Sequence, residues 1–156
     1  MYGYKPNKYT ALVDARRRTT VTQDASAYDT RATSCSPSGC SADLTRDRDT
    51  SDGSRWSCRE DLQGEPCTIT YEFEEPQDIV EVSIALFRGD ERVRKLQVTA
   101  SDGFSQELES SGSDDGFERF VVNTDETAWM TMESVGLDSN EWISIEEASA
   151  RSVSLF

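Results

Sequence analysis

The stretch from Asp49 to Cys58, DTSDGSRWSC, places two aspartates, three serines and a threonine around an Arg-Trp pair. Carboxylates, hydroxyls and the carbonyls of a tight loop are hard oxygen ligands, and calcium takes six to eight of them at about 2.3–2.6 Å. The same residue types also close Asx turns with no ion. The alternating acids, glycine and following glutamate of an EF-hand loop are missing. Other chemistries fall away quickly. The chain has no histidine, which excludes nucleophile–histidine catalysis. Pairs such as Glu72/Glu74 and Glu74/Glu75 arise by chance among 30 acidic residues and read as the wet face of a strand, not as a glycosidase dyad. No glycine-rich phosphate loop is present. The sequence points away from an enzyme.

Four cysteines, Cys35, Cys40, Cys58 and Cys67, allow three pairings. Pairing of sequence neighbours, Cys35 with Cys40 and Cys58 with Cys67, is the simplest. Zinc prefers closer cysteine pairs or histidines, so disulfides are the expectation, and with them a secreted or extracellular location or an oxidising organelle lumen.

The net charge is -14 over 156 residues. Such a balance excludes a general electrostatic footprint for nucleic acid. The charge is uneven: residues 1–20 carry Lys5, Lys8, Arg16, Arg17 and Arg18 against the single acid Asp14. This basic arm either is solvated or meets an acidic partner. No apolar run is long enough to span a bilayer, and the opening MYGYKPNKYT lacks the apolar stretch of a signal peptide.

The elements that must position these residues are strands. In CTITYEFEEP, Ile69, Tyr71 and Phe73 face one way and Thr68, Thr70, Glu72 and Glu74 the other, a half-buried strand ending before Pro76. In IVEVSIALF, Val80, Val82, Ile84 and Leu86 share a face. RGDER and SDGFSQ turn the chain on either side of VRKLQVTAS, where Leu96 and Val98 are core candidates. FERFVVN, WMTMESVG and EWISIEEAS follow, and ESSGSDDG reads as a polar loop. YTALVDA is a further short-strand candidate. Regular turns and the lack of a long helical period predict an all-β sandwich. Residues 1–34 read as an N-terminal arm that includes a candidate first strand, and residues 35–156 as the sandwich domain.

The order of DTSDGSRWSC, TITYEFEEPQDIVEVSIALFRGDERVRKLQV and SNEWISIEE resembles the discoidin-like family, the coagulation factor 5/8 C-terminal type, and within it the carbohydrate-binding modules attached to polysaccharide lyases. The likeness covers about residues 41–150 and extends in part to TTVTQDASA. It implies a galactose-binding-like β-sandwich jelly roll of eight strands. It also implies a structural calcium ion held by a loop in which Asp49 precedes Ser54, Arg55 and Trp56, and closed by Glu147 near the chain's end. The family's glycine after the aspartate is replaced here by Thr50. The oxygen chemistry supports the same set: side chains of Asp49 and Glu147, carbonyls of Arg46 and Ser51, and oxygens of Ser54, with Asp47, Asp52 and Glu146 as spare acids nearby.

The resemblance further implies recognition of a polysaccharide or other glycan. Sugar sites combine an aromatic platform with a few hydrogen-bonding polar groups. FRGDER supplies Arg88, Asp90 and Arg92, and Trp142 lies beside Asn140. The plainer role of Trp56, Trp129 and Trp142 is core packing, and that of RGDER a charged turn. The lyase-linked modules carry two arginines and a histidine where this chain has Ala128, Thr131 and Val135, a loss that weakens the expectation of glycan binding. The second reading is an accessory subunit that docks on a protein assembly through the basic N-terminal arm.

Overall fold

The computed structural model describes residues 20–25, 27–33, 41–51, 54–113 and 116–155. Among the described residues, ten strands form two antiparallel sheets. They are β1 (Thr20–Asp24), β2 (Ala27–Ala32), β3 (Trp56–Arg59), β4 (Thr68–Gln77), β5 (Ile79–Leu86), β6 (Lys95–Ala100), β7 (Ser105–Glu109), β8 (Phe117–Val121), β9 (Thr127–Val135) and β10 (Trp142–Leu155). The first sheet runs β1-β10-β5-β8, with β3 also paired to β10, and the second runs β2-β4-β9-β6-β7. The all-β sandwich expected from the sequence is the fold observed.

Alternation builds the core. Ile69, Tyr71 and Phe73 of β4, Val82, Ile84 and Leu86 of β5, and Leu96 and Val98 of β6 are all buried and share one cluster with Trp56, Met130, Met132, Ile143 and Ile145. The Tyr71 hydroxyl is satisfied by Thr45 Oγ1 at 2.8 Å, and burial pushes the phenol's pKa up. That bond seats a 3₁₀ turn, Ala42–Arg46, on the end of the core.

Three details depart from the sequence pattern. β4 continues through Pro76 to Gln77, with its pairing to β9 irregular between Glu72 and Gln77. β7 has only Leu108 buried, so SQELE gives no clear alternation. β1 and β2 lie upstream of Cys35, yet β1 pairs with the end of β10 and β2 with β4. Their sequences are polar because both are edge strands. YTALVDA, the basic arm through Thr19, Cys35 and Cys40 lie outside the described residues.

β10 organises the functional end. It pairs with β3 through Trp142–Ile145 and with β1 through Arg151–Leu155, both along one edge. Along its other edge, Ile145 faces Leu86 and Glu147 faces Ala85, which leaves Glu146 as a bulge. The extra residue flips the phase of the strand. Ile143 and Ile145 pack inward before it, and Ala148 and Ala150 after it.

Candidate functional site

Two constellations sit near this end of the sandwich. The first is the loop after the 3₁₀ turn. Arg48 adopts φ 63, a left-handed conformation costly for a side-chain-bearing residue. The turn directs the Arg48 N–H to Glu147 Oε2 at 2.8 Å. Ser54 Oγ donates to Asp47 Oδ2, and Asp47 Oδ1 accepts from the Asp49 N–H at 2.9 Å. Asp49 Oδ1 in turn accepts from the Ser51 N–H at 2.8 Å, which holds the Asp49 carboxyl below its usual range. Ser51 O accepts from the Ser54 N–H at 3.0 Å.

Glu147 is buried, with 5% of its surface exposed. Burial pushes its carboxyl up to about 7, and the neighbouring Asp47 charge and hydrogen bond reinforce the shift, against the Arg48 and Asp49 N–H groups. The structure thus brings Glu147 together with Asp47 and Ser54, and leaves Asp49 shaping the loop beside them. Arg46 uses its guanidinium to reach Ala27 O and Asp43. Among the described residues no group of three or more His, Cys, Asp or Glu side chains gathers, and Asp52 lies outside them. Glu147 is buried and Asp47 beside it is exposed, and a buried carboxylate next to a like charge is costly unless a proton or a cation joins it. Two carboxylates, a hydroxyl and loop carbonyls form a hard-oxygen set that suits calcium.

Behind Glu147 is a cavity of about 200 Å³, lined by Tyr71, Phe73, Met130 and Met132 among others. Asp24, Arg46, Arg48, Glu147 and Ser149 also line it, so its walls mix charged and apolar groups.

The second constellation is a strip on the outer face of the first sheet. Alternation turns Trp56 and Cys58 into the core, so Arg55, Ser57 and Arg59 face outward. On β10, Trp142 is registered with Arg59 and Ser144 with Ser57. The two serine hydroxyls meet at 2.8 Å, and Arg55 Nε donates to Ser57 Oγ at 3.2 Å. The Phe87 N–H donates to Ser144 O at 3.0 Å, bringing the β5–β6 loop alongside. Arg55 lies 4.0 Å from the Phe87 ring centroid, Arg88 5.1 Å and Arg92 5.4 Å. Arg59 lies 5.4 Å from the Trp142 ring and forms a two-pronged pair with Asp61, at 2.6 and 2.9 Å.

The disulfide helps position this end. Cys58 and Cys67 are bonded, with Cα atoms 5.9 Å apart. They bracket a single helical turn, Glu60–Gln63, whose Asp61 N–H donates to Ser139 O at 2.9 Å. Arg94 Nε donates to Trp142 O at 3.0 Å, so the loops around residues 60, 90 and 140 are tied to one another.

No protein-family model and no curated protein sequence matches the chain. Solved structures do. With TM-score 0.69 and 20% identity, the chain is similar to the CBM32 of AlyQ in complex with 4,5-unsaturated mannuronic acid, over 82% of this chain and 97% of that one. The fold is the discoidin-like β-sandwich of these modules. The discoidin-like sandwich also matches a truncated AlyQ with CBM32 and alginate lyase domains, at TM-score 0.69 and 20% identity, over 86% of this chain but 34% of the longer one. The family 32 module of C. perfringens NanJ, in complex with galactose, gives TM-score 0.60 at 11% identity, covering 85% and 100%.

Within this discoidin-like sandwich, Arg88, Arg92 and Trp142 lie along the strip, whereas Asp90 is an exposed residue of the turn. Trp56 is core, Trp142 is half-buried, and Trp129 is not core: it is 37% exposed on β9. Arg59, Phe87 and Arg94 were not singled out by sequence spacing, and Arg55 was named only as part of the loop motif. The outward phase of Arg55 and Arg59 was the available signal, hidden by the prominence of Trp56. Thr131, at one of the lost family arginines, pairs its hydroxyl with Thr70 at 2.7 Å on the second sheet. Of the strip's arginines, Arg59 lies on β3 and Arg55, Arg88, Arg92 and Arg94 lie in the flanking loops.

Proposed function

We propose that the chain is a non-catalytic carbohydrate-binding module for an extracellular or cell-wall polysaccharide, with a structural calcium ion in the Asp47–Ser54 loop. The supporting observation is the half-exposed strip of arginines and aromatic rings laid over the buried Ser57–Ser144 pair, on a sandwich whose solved neighbours include sugar complexes. Those neighbours carry sugars as different as mannuronic acid and galactose, so the fold does not choose the ligand. The non-catalytic part rests on chemistry: there is no histidine, and the strip's Asp61 is committed to Arg59. Asp47, Ser54 and Glu147 would hold the calcium with loop carbonyls, and the ion would supply charge compensation and a crosslink between loop and β10. The Cys58–Cys67 bond fits an oxidising compartment, and no helix among the described residues is long and apolar enough to cross a membrane.

A glycan array probed with and without calcium tests the reading. Binding that is lost on Arg92→Ala supports it. Absence of binding to every glycan, with the protein folded, overturns it.

A further inference from the structure

We propose that the cavity behind Glu147 is a second ligand site, for a small aromatic carboxylic acid whose ring lies between the sheets and whose carboxylate meets Arg46 and Arg48. The cavity shares no lining residue with the Phe87 strip. Its space comes from the residues that the β10 bulge turns inward. Before the bulge they are Ile143 and Ile145, both buried. After it they are Ala148 and Ala150, and Ala25 and Ala27 line the cavity from the corner between β1 and β2. Four methyl groups leave room that larger side chains would fill. Protein interiors are close-packed, with few voids larger than a water molecule, so about 200 Å³ is not ordinary packing slack. The four alanines are only partly buried, although those on β10 face inward, so the space is reached from outside.

The apolar walls set the body of the ligand. A dry cavity of about 150 Å³ takes a benzene ring, so this one has room for a ring with a short side chain. Tyr71 and Phe73 offer aromatic surface, and Met130 and Met132 offer polarizable sulfurs that favour contact with a ring. The Tyr71 hydroxyl is already bonded to Thr45 at 2.8 Å. That part of the lining suits carbon, not hydroxyls.

The charged lining sets the sign of the polar end. Both of its acids are committed. Asp24 lies 3.6 Å from Arg151, and Glu147 accepts the Arg48 N–H as part of the Asp47–Ser54 loop. The arginines are not. Arg46 uses its terminal nitrogens on Ala27 O and Asp43, but its Nε is buried with no hydrogen-bond partner. The exposed Arg48 bonds through its backbone, and its guanidinium has no partner among the described residues. A buried donor left without an acceptor is costly. The acceptor that best matches a guanidinium edge is a carboxylate, which takes two donors at once. A cationic ligand would instead meet two guanidiniums, and a neutral one would forgo the charge-assisted bond.

The test uses the whole chain, with calcium present and with isotope-labelled methionine methyl groups read by NMR. The chain has three methionines, and Met130 and Met132 both line the cavity. Hydrocinnamate is titrated in parallel with hydrocinnamamide and phenylpropylamine. The acid should move the Met130 and Met132 signals together to saturation, and the amide should bind about tenfold or more weakly. Arg46→Met should erase that difference. Arg48→Ala, at a side chain the fold does not use, should weaken the acid and leave the amide unchanged. Ala150→Leu fills the cavity and should abolish the shifts in a folded protein. No movement of either methionine at the solubility limit of the acid overturns the proposal. Amide or amine binding as tightly as the acid overturns it too, since the cavity would then be an unselective apolar hole. Undiminished binding in Ala150→Leu places the acid elsewhere and also overturns it.

Discussion

The Arg48 N–H and the Glu147 carboxylate meet at 2.8 Å across 99 positions of sequence, joining the first long loop to the last strand. Glu147 is the one carboxyl in that contact with its pKa raised, from 4.5 to about 7. In the calcium-free protein, between those two values, the folded chain keeps a proton that the unfolded chain releases. Stability should therefore fall as pH rises from about 4.5 to about 7 and then level off, as far as this group is concerned. Calcium should remove that loss, because it compensates the ionised carboxylate, and its uptake near neutral pH should release protons. Thermal melts across pH in chelator and in calcium, with Glu147→Gln as the reference, measure this. A calcium-free profile identical in the wild type and Glu147→Gln would sink the idea, and so would calcium that leaves both melting temperatures unmoved.

The sandwich was legible because its core strands alternate. Ile69-Tyr71-Phe73, Val82-Ile84-Leu86 and Leu96-Val98 each place apolar residues at period two, and all are buried. The Asp47–Ser54 loop was legible as a polar turn, but its backbone register was not. Thr50 stands where the family pattern was expected to need glycine, yet the left-handed residue is Arg48. That moves the aspartate facing Glu147 from Asp49 to Asp47. Backbone sign is invisible when an arginine occupies a position that glycine usually fills. The strip was harder still, since Arg55 sits just before β3 and Phe87 and Arg94 at the two ends of the β5–β6 loop, segments that only the pairing of β10 with both β3 and β5 brings together.

Arg48 itself offers a backbone test. A side-chain-bearing residue at φ 63 costs about 1–2 kcal/mol relative to a relaxed conformation, partly offset by the extra unfolded-state freedom that glycine brings. Arg48→Gly should stabilise the protein by roughly 0.5–1 kcal/mol, seen as a higher urea midpoint. Arg48→Ala should not, because the strain stays. Destabilisation by Arg48→Gly would mean that the arginine side chain contributes more than its backbone costs.

The Cys58–Cys67 bond closes a short loop, with a sequence separation of 9. In the chain-entropy account a loop of this size contributes about 2.5–3 kcal/mol by restricting the unfolded chain. The double substitution Cys58→Ser with Cys67→Ser should lower stability by at least that amount, since both positions are buried and serine hydroxyls there need partners. Cys58→Ala with Cys67→Ala removes the polar penalty and isolates the crosslink. An alanine pair as stable as the wild type in chemical denaturation would show that the crosslink contributes nothing.

Phe87 should matter through its ring rather than its bulk. Arg55, Arg88 and Arg92 all lie within 5.4 Å of its centroid, and each exposed cation–π contact contributes about 0.5–1 kcal/mol. Phe87→Leu keeps most of the apolar volume and removes the quadrupole that offsets repulsion among the guanidiniums. It should lower stability by about 1–2 kcal/mol, with the loss growing at low ionic strength as the unmasked repulsion is less screened. Glycan affinity should fall in parallel, because the three guanidiniums lose their common support. Phe87→Trp, with the stronger ring face, should retain both properties. The measurement is a urea titration of the three proteins at low and high salt, paired with binding to the best glycan found on the array. If Phe87→Leu matches the wild type in both stability and affinity, the ring is packing material and the arginines are held by other contacts.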